Sequence, residues 1–281
     1  MKAPFAYYGG KMGLAPKIAA LFPPHHTYIE PFFGSGAVLC AKPRSTHEIV
    51  NDVDGALVAF WRCLRDQPDE LERLCLLTPH ARDEFDAADL DDESIGDLER
   101  ARRFWCRVNQ SFAKTAGRRT GWSITTTRNQ SVQASILSRI ERFGQVAERM
   151  IGVSIENCDA AGLVRRLATA DTVIYADPPY VAKSRNSSGT DYRFDMGGAE
   201  AHVDLADALR STDATVFLSG YHSDLYDDLY GDWDLIEWAT HTHSSNAVTL
   251  DRGTRVEVLW SNRPIDRSSP DGIEPLFEGL L

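Results

Sequence analysis

The chain has 281 residues, 43% of them hydrophobic and 25% charged, with a net charge of −11, enough apolar material for a full core in one or two domains. No apolar run approaches the ~20 residues that span a bilayer, and the opening Met1-Lys2-Ala3-Pro4-Phe5 lacks the apolar core of a secretory signal, so neither a membrane nor a secreted protein is expected. Cys40, Cys63, Cys75, Cys106 and Cys158 are scattered without a C-x-x-C pair, which reads as reduced, mostly buried thiols in a cytoplasm rather than a disulfide framework or a zinc site.

In chain order, the first feature is Tyr7-Tyr8-Gly9-Gly10-Lys11. A lysine held by a double-glycine turn could contact a cofactor or a phosphate, but alone the pattern is a surface loop. A short apolar run at 27–29 predicts a strand, and Glu30-Pro31-Phe32-Phe33-Gly34-Ser35-Gly36 leaves it as a tight turn into a helix over 36–41. Glycines there let the backbone approach a ligand closely, as in nucleotide-binding α/β folds. Leu39 stands where a dinucleotide fingerprint needs its third glycine, which disfavours a nicotinamide or flavin cofactor. A second strand, 48–50, ends in Asn51-Asp52-Val53-Asp54 and places a carboxylate where it can accept both hydroxyls of a ribose. The plain alternative is a glycine turn followed by an Asp that caps the next helix, 56–65.

The charge pattern changes abruptly downstream. Residues 62–99 hold thirteen acids against four arginines and read as a solvated acidic face, whereas 100–149 hold eleven bases against two acids. This basic island carries helical patterns at 98–109 and 134–150 around a polar loop, 111–133, with Phe112 and Trp122 interleaved. Such a composition suits contacts to phosphates and base edges, the alternative being arginines that simply face water. The strand–helix rhythm then resumes, with strands at 153–155, 172–176 and 214–219 and helices at 160–168, 199–210 and 223–230. Two more strand-like runs, 233–239 and 255–260, predict an antiparallel edge pair, and the segment after Pro264 reads as a loosely ordered tail. The fold class is therefore α/β, a mostly parallel sheet covered by helices and interrupted by a helical insert.

Directly after the 172–176 strand stands Asp177-Pro178-Pro179-Tyr180. Two prolines fix φ and remove two N–H donors, so the chain leaves the sheet rigidly with carbonyls free to accept. An acceptor carboxylate, free carbonyls and an aromatic plate suit an exocyclic amine in the plane of a heteroaromatic ring, at the sheet end where open α/β folds bind ligands. A turn with a capping Asp is the alternative.

Together and in this order these residues resemble the Dam-like alpha group of DNA adenine-N6 methyltransferases. The match runs over Tyr7 to Lys11, the Glu30–Gly36 turn, Asn51-Asp52, the helical segment 100–112, Asp159, Asp177 to Tyr180, the Phe194, His202 and Leu205 spacing, and the strand 256–262. The resemblance implies a Rossmann-like methyltransferase sheet with a small inserted DNA-recognition subdomain: a catalytic domain over 1–66 and 150–264, a target-recognition insert over 67–149 and a tail over 265–281. It implies S-adenosyl-L-methionine as cofactor, bordered by Tyr7 and Lys11, wrapped by Glu30, Pro31, Phe32, Gly34 and Gly36, held at its ribose by Asp52, with Asp159 near its adenine and Asp177 beside it. It implies that Asp177, Pro178, Pro179 and Tyr180 hold a flipped-out adenine of double-stranded DNA, and that the basic island, with Lys114, Arg118, Arg119, Trp122 and Arg128, holds the duplex. No metal and no membrane partner is expected, and a cognate restriction nuclease is a partner the resemblance leaves open. Residue chemistry alone also admits cytosine N4 as acceptor, and a DNA-binding relative that has lost catalysis.

Overall fold

The computed structural model describes residues 1–111, 116–117, 121–124, 132–180, 193–194, 196, 198–240 and 255–268. Seven strands, β1 (Thr27–Glu30), β2 (His47–Asn51), β3 (Ser154–Glu156), β4 (Thr172–Ala176), β5 (Thr215–Gly220), β6 (Asp234–Thr240) and β7 (Arg255–Ser261), form one sheet in the order β3-β2-β1-β4-β5-β7-β6. Every pairing from β3 to β5 is parallel, and β7 alone runs against its neighbours, entering between β5 and β6. The expected antiparallel pair is thus present, with its second strand inside the sheet and its first at the edge. This is the mixed, mostly parallel Rossmann-like arrangement.

Strand alternation explains why both faces are covered. Tyr28, Val173, Tyr175, Phe217 and Leu259 point into one apolar cluster, while Ile29, Ile174, Ala176, Val216, Leu218, Val258 and Trp260 belong to the other. Successive side chains on a strand face opposite ways, so near-continuous apolar strands need helices on both sides. The first face is covered by α1 (Ala15–Ala20), α2 (Ala37–Ala41), α3 (Gly55–Asp66), α4 (Pro68–Leu77), α6 (Asp97–Gln110), α7 (Val132–Ile140) and α8 (Phe143–Met150); α5 (Arg82–Ala87) lies beyond them. The second is covered by α9 (Ala160–Leu167), α10 (Ala199–Arg210) and α11 (Asp224–Tyr230).

Two differences from the sequence pattern have local causes. The single helix expected over 134–150 is two, because the turn at Glu141 and Arg142 tightens, Arg142 N–H donating to Arg139 O at 3.2 Å. That bend sets Phe143 edge-on to Phe60 and Trp105 in the core. The acidic stretch contains α4 and α5, and its carboxylates do not all face water: Arg102 pairs with Glu84 and Glu99, and Arg103 with Glu99 and Asp92. The described arginines of the basic island are likewise engaged inside the molecule. Arg107 lies over the Phe85 ring, Arg139 donates to Asn109, Arg142 to Ala3 O, and Arg149 reaches Glu48.

The last of these is fully buried. Lys42 and Arg149 close on Glu48 of β2 at 2.6 and 2.5 Å, with all three side chains at most 6% exposed. Burial pushes the Glu48 carboxyl up, but hydrogen bonds from Arg149 and Lys42 outweigh it and hold it below the usual range. Removing one member strands the others as uncompensated charges, so Glu48→Ala should lower the unfolding free energy by about 3–5 kcal/mol. Urea denaturation measures it, and an unchanged midpoint would show that the triad contributes nothing.

Candidate active site

Strand order reverses between β1 and β4, since β1 to β3 step one way and β4 to β5 the other. Loops leaving the carboxyl ends of those two strands must diverge, and the crevice they open is where α/β sheets bind ligands. A cavity of about 310 Å³ occupies that place. Its walls are the 7–11 turn, the loop after β1, the end of β2, the start of α9, and the residues that follow β4.

The loop after β1 is fixed from both sides. Gly34 and Gly36 hold φ of +47° and +64°, a left-handed backbone that other residues adopt at a cost. A Cβ on Gly36 would meet the Phe33 ring at 2.7 Å. Trp61 of α3 donates its indole N–H to Gly34 O at 3.0 Å and packs at a tilt against the Phe33 ring. Asn51 joins three loops, its amide donating to Pro31 O and Cys158 O while its oxygen accepts Cys158 N–H at 2.9 Å. Asp52 accepts Gly34 N–H through one oxygen and Asp54 N–H through the other, both at 3.0 Å. The capping role that sequence left open for this region falls to Asp54, which accepts Ala56 N–H at the start of α3. Asp159 caps α9 in the same way, accepting Gly162 N–H at 2.7 Å.

Across the cavity, Lys11 is not on a surface loop. Its side chain is 7% exposed, and its ammonium donates to both oxygens of Asp177 at 2.8 and 3.0 Å and to Gly9 O at 3.0 Å. It also contacts the Tyr180 hydroxyl and lies 3.2 Å from Glu257 of β7. Tyr180 in turn donates to Glu257 at 2.6 Å, and its ring meets Tyr221 edge-on. Sequence reasoning missed Glu257: it is one polar position in a strand, and nothing in the spacing announces which way it points. Tyr226 is core, packed against Tyr230 and Trp260 and bonded to His202, whereas Tyr221 lies against Tyr180.

Of the residues singled out in the sequence, Tyr7, Lys11, Glu30, Pro31, Phe32, Gly34, Asp52, Asp159, Asp177 and Pro179 line this one cavity, as do Phe194 and Leu205. Gly36 turns the loop behind it, Pro178 adjoins it in the chain, and Tyr180 is tied to it through Lys11. Trp122 is elsewhere, between His80 and Arg82, with its indole N–H on Gln110. Lys114, Arg118, Arg119 and Arg128 lie outside the described residues. Among the described residues no group of acids, histidines and cysteines could hold a metal ion, and no helix is long and apolar enough to cross a membrane.

The cavity is rich in carboxyls. Burial pushes Glu30 up to about 8, a hydrogen bond from Tyr28 opposing it and the charge of Asp177 adding to it. Burial also pushes Asp52 up to about 6, its backbone hydrogen bonds opposing. Acids held this way favour a ligand that brings positive charge. The stability consequence has a definite sign: Glu30 binds its proton more tightly folded than unfolded, so the native state loses stability as pH rises from about 4.5 to about 8. Glu30→Gln should flatten that part of the pH–stability curve and make the protein more stable than wild type at pH 8; identical curves would show that Glu30 is not the group responsible.

A family model described as D12 class N6 adenine-specific DNA methyltransferase matches residues 7–244. The Type II methyltransferase M1.LlaDCHI of Lactococcus lactis subsp. cremoris is 27% identical over 269 residues, covering 90% of this chain and 93% of that protein. A solved structure described as precorrin 8W decarboxylase of Methanobacterium thermoautotrophicum aligns with 93% of this chain and 98% of its own at 11% identity and a TM-score of 0.38.

Proposed function

Because the chain belongs to the D12 class of N6 adenine-specific DNA methyltransferases, and so transfers a methyl group to the N6 amine of adenine in DNA, we propose that the cavity between β1 and β4 binds S-adenosyl-L-methionine and that Asp177 receives the target amine. When bound, that cofactor supplies an electrophilic methyl on a sulfonium sulfur, which keeps the bonding pair as the methyl leaves. The carboxyl-rich lining suits its positive charge, and Asp52, with each oxygen already accepting one backbone N–H, has lone pairs left for the ribose hydroxyls.

The observation that carries the catalytic reading is the position of Asp177 at the cavity wall. Adenine N6 is a poor nucleophile because its lone pair is delocalised into the ring. An amine that donates to Asp177 and to the Pro178 carbonyl is favoured as it becomes pyramidal and forms the new C–N bond. It gives up one proton, which the Asp177 carboxylate accepts. Lys11 occupies one lone-pair site on each Asp177 oxygen, and a carboxylate has about four, so the amine does not have to displace the lysine. The N6 atom is inaccessible inside a stacked duplex, so the substrate is double-stranded DNA with its target base flipped out. We assign target recognition to the insert over 67–149 and its grip on the backbone to Lys114, Arg118, Arg119 and Arg128, with Trp122 at its base. The description of the Lactococcus relative as a Type II enzyme supports a restriction-modification setting, with a cognate nuclease as the partner, in a bacterial or phage-infected cytoplasm.

The decisive experiment is methyl transfer from labelled S-adenosyl-L-methionine to mixed-sequence duplex DNA, followed by nucleoside identification. N6-methyladenine should carry the label, and Asp177→Ala should lower transfer about 100-fold or more while cofactor and DNA still bind. Near wild-type transfer by that variant would overturn the role of Asp177. Asp52→Ala should instead weaken cofactor binding, roughly tenfold or more, in a calorimetric titration; an unchanged affinity would remove it from the site. Replacing Arg118 and Arg119 with Ala should reduce the salt slope of DNA binding by about 1–2 if they touch phosphates, and an unchanged slope would assign them to water.

A further inference from the structure

Glu257 adjoins this site through Lys11 and Tyr180, and the proposed chemistry gives it no task. It sits on β7, the strand that runs against its neighbours, and meets residues from two distant parts of the chain: Lys11 at 3.2 Å and Tyr180 at 2.6 Å. Its side chain is 5% exposed. The titratable and charged groups facing it are Lys11 from the N-terminal segment, Tyr175 from β4, and Asp177 and Tyr180 just after β4. Trp238 of β6 stands opposite it in the register.

The hydrogen-bond arithmetic at Lys11 is unusual. An ammonium has three protons, yet among the described residues at least five acceptor atoms surround this one: both oxygens of Asp177, Gly9 O, the Tyr180 hydroxyl and Glu257 Oε1. The single hydroxyl proton of Tyr180 goes to Glu257 at 2.6 Å rather than to Asp177 at 3.3 Å, which leaves the phenol oxygen to accept from Lys11. Lys11 can therefore give up a bond to Asp177 without being stranded. The charges follow the same logic. Lys11 cancels Asp177, and without a second carboxylate the cluster would be neutral just where a target amine acquires positive charge as it is alkylated.

We propose that Glu257 is a positioning residue for methyl transfer: together with the Tyr180 hydroxyl it holds the Lys11 ammonium between two carboxylates, so that Asp177 keeps the negative charge the target amine requires. The inference rests on the reading of Asp177 as amine acceptor. Burial pushes the Glu257 carboxyl up, with Lys11 opposing and Asp177 adding; protonation on the acid side thus removes the second charge, and the rate falls as pH falls through a value above the ordinary 4.5.

The test compares Glu257→Gln, Glu257→Asp, Tyr180→Phe and Asp177→Asn in single-turnover methylation of a duplex that carries the target site, over a range of pH. Binding of S-adenosylhomocysteine and of DNA is measured separately, by calorimetry and by 2-aminopurine fluorescence at the target position. Glu257→Gln should lower the single-turnover rate about 10- to 100-fold with both affinities within about twofold of wild type, and should remove the part of the acid limb that Glu257 contributes in wild type. Glu257→Asp, which restores the charge, should recover part of the rate and the limb. Tyr180→Phe keeps the ring and removes only the hydroxyl bridge, so it should shift the limb and provides the test should Glu257→Gln fail to fold. A wild-type rate and pH profile for Glu257→Gln, or a loss confined to ligand affinity, overturns the inference. If Asp177→Asn is also fully active, the amine-acceptor reading falls with it; if Asp177→Asn is inactive while Glu257→Gln is not, only the inference about Glu257 falls.

Discussion

The ammonium of Lys11 rests on both oxygens of Asp177, 166 residues away in the chain, and the geometry of the site depends on that contact. Two charges taken out of water cost several kcal/mol each, and attraction offsets this only when the remaining donors and acceptors are satisfied. Here they are, by Gly9 O, Tyr180 and Glu257. The pair fixes the 7–11 turn over the end of β4, and Leu14 and Ala15 N–H both donate to Lys11 O, so α1 starts from the same residue. The turn itself approaches the loop after β1, since a Cβ on Gly10 would lie 2.9 Å from Tyr7 O and 3.3 Å from Ser35 Oγ. One ion pair therefore sets the distance between the two walls of the cavity.

Around it, the support comes from neutral groups. Asn51 donates to two loop carbonyls and accepts one N–H, and Trp61 donates to a third carbonyl. These bonds satisfy loop backbone that would otherwise be buried without partners, and they leave the carboxylates of Asp52 and Asp177 with unused lone pairs. Asp52 and Asp177 also hold the site, through Gly34 and Lys11, and still keep acceptor capacity for a ligand.

The sheet was readable from sequence because its central strands are short apolar runs ended by turns. The strand at 172–176 and the helix at 199–210 coincide with β4 and α10 to the residue. Asp177, Asp52 and the glycine turn were readable for a related reason: each immediately follows a strand, where topology puts ligands. What escaped was whatever depends on a distant partner. A Gly-Gly-Lys turn has no periodicity to betray that its lysine is buried, and Glu257 occupies a polar position in β7 that alternation alone assigns to either face. Helices α4 and α5 were hidden inside an acidic run, although Pro68 with Asp69 and Glu70 after it is a start signal of the expected kind. The break between α7 and α8 is set by Phe143 entering the core, which local propensity does not record.

The charge map takes on a different meaning once partners are known. A contrast between an acidic run and a basic run suggests two opposed surfaces, yet Arg102 and Arg103 neutralise Glu84, Asp92 and Glu99 within the molecule, and Arg149 is spent on Glu48. The helical arginines thus contribute to folding what they withhold from a polyanion. An overall charge of −11 repels a duplex at long range, and non-specific affinity scales with the number of phosphates neutralised. Among the described residues, little positive charge is therefore left over for non-specific attraction to DNA. With the cavity read as proposed above, the same excess of carboxylates that weakens indiscriminate attraction to DNA suits a cationic methyl donor and the positive charge that develops on the amine.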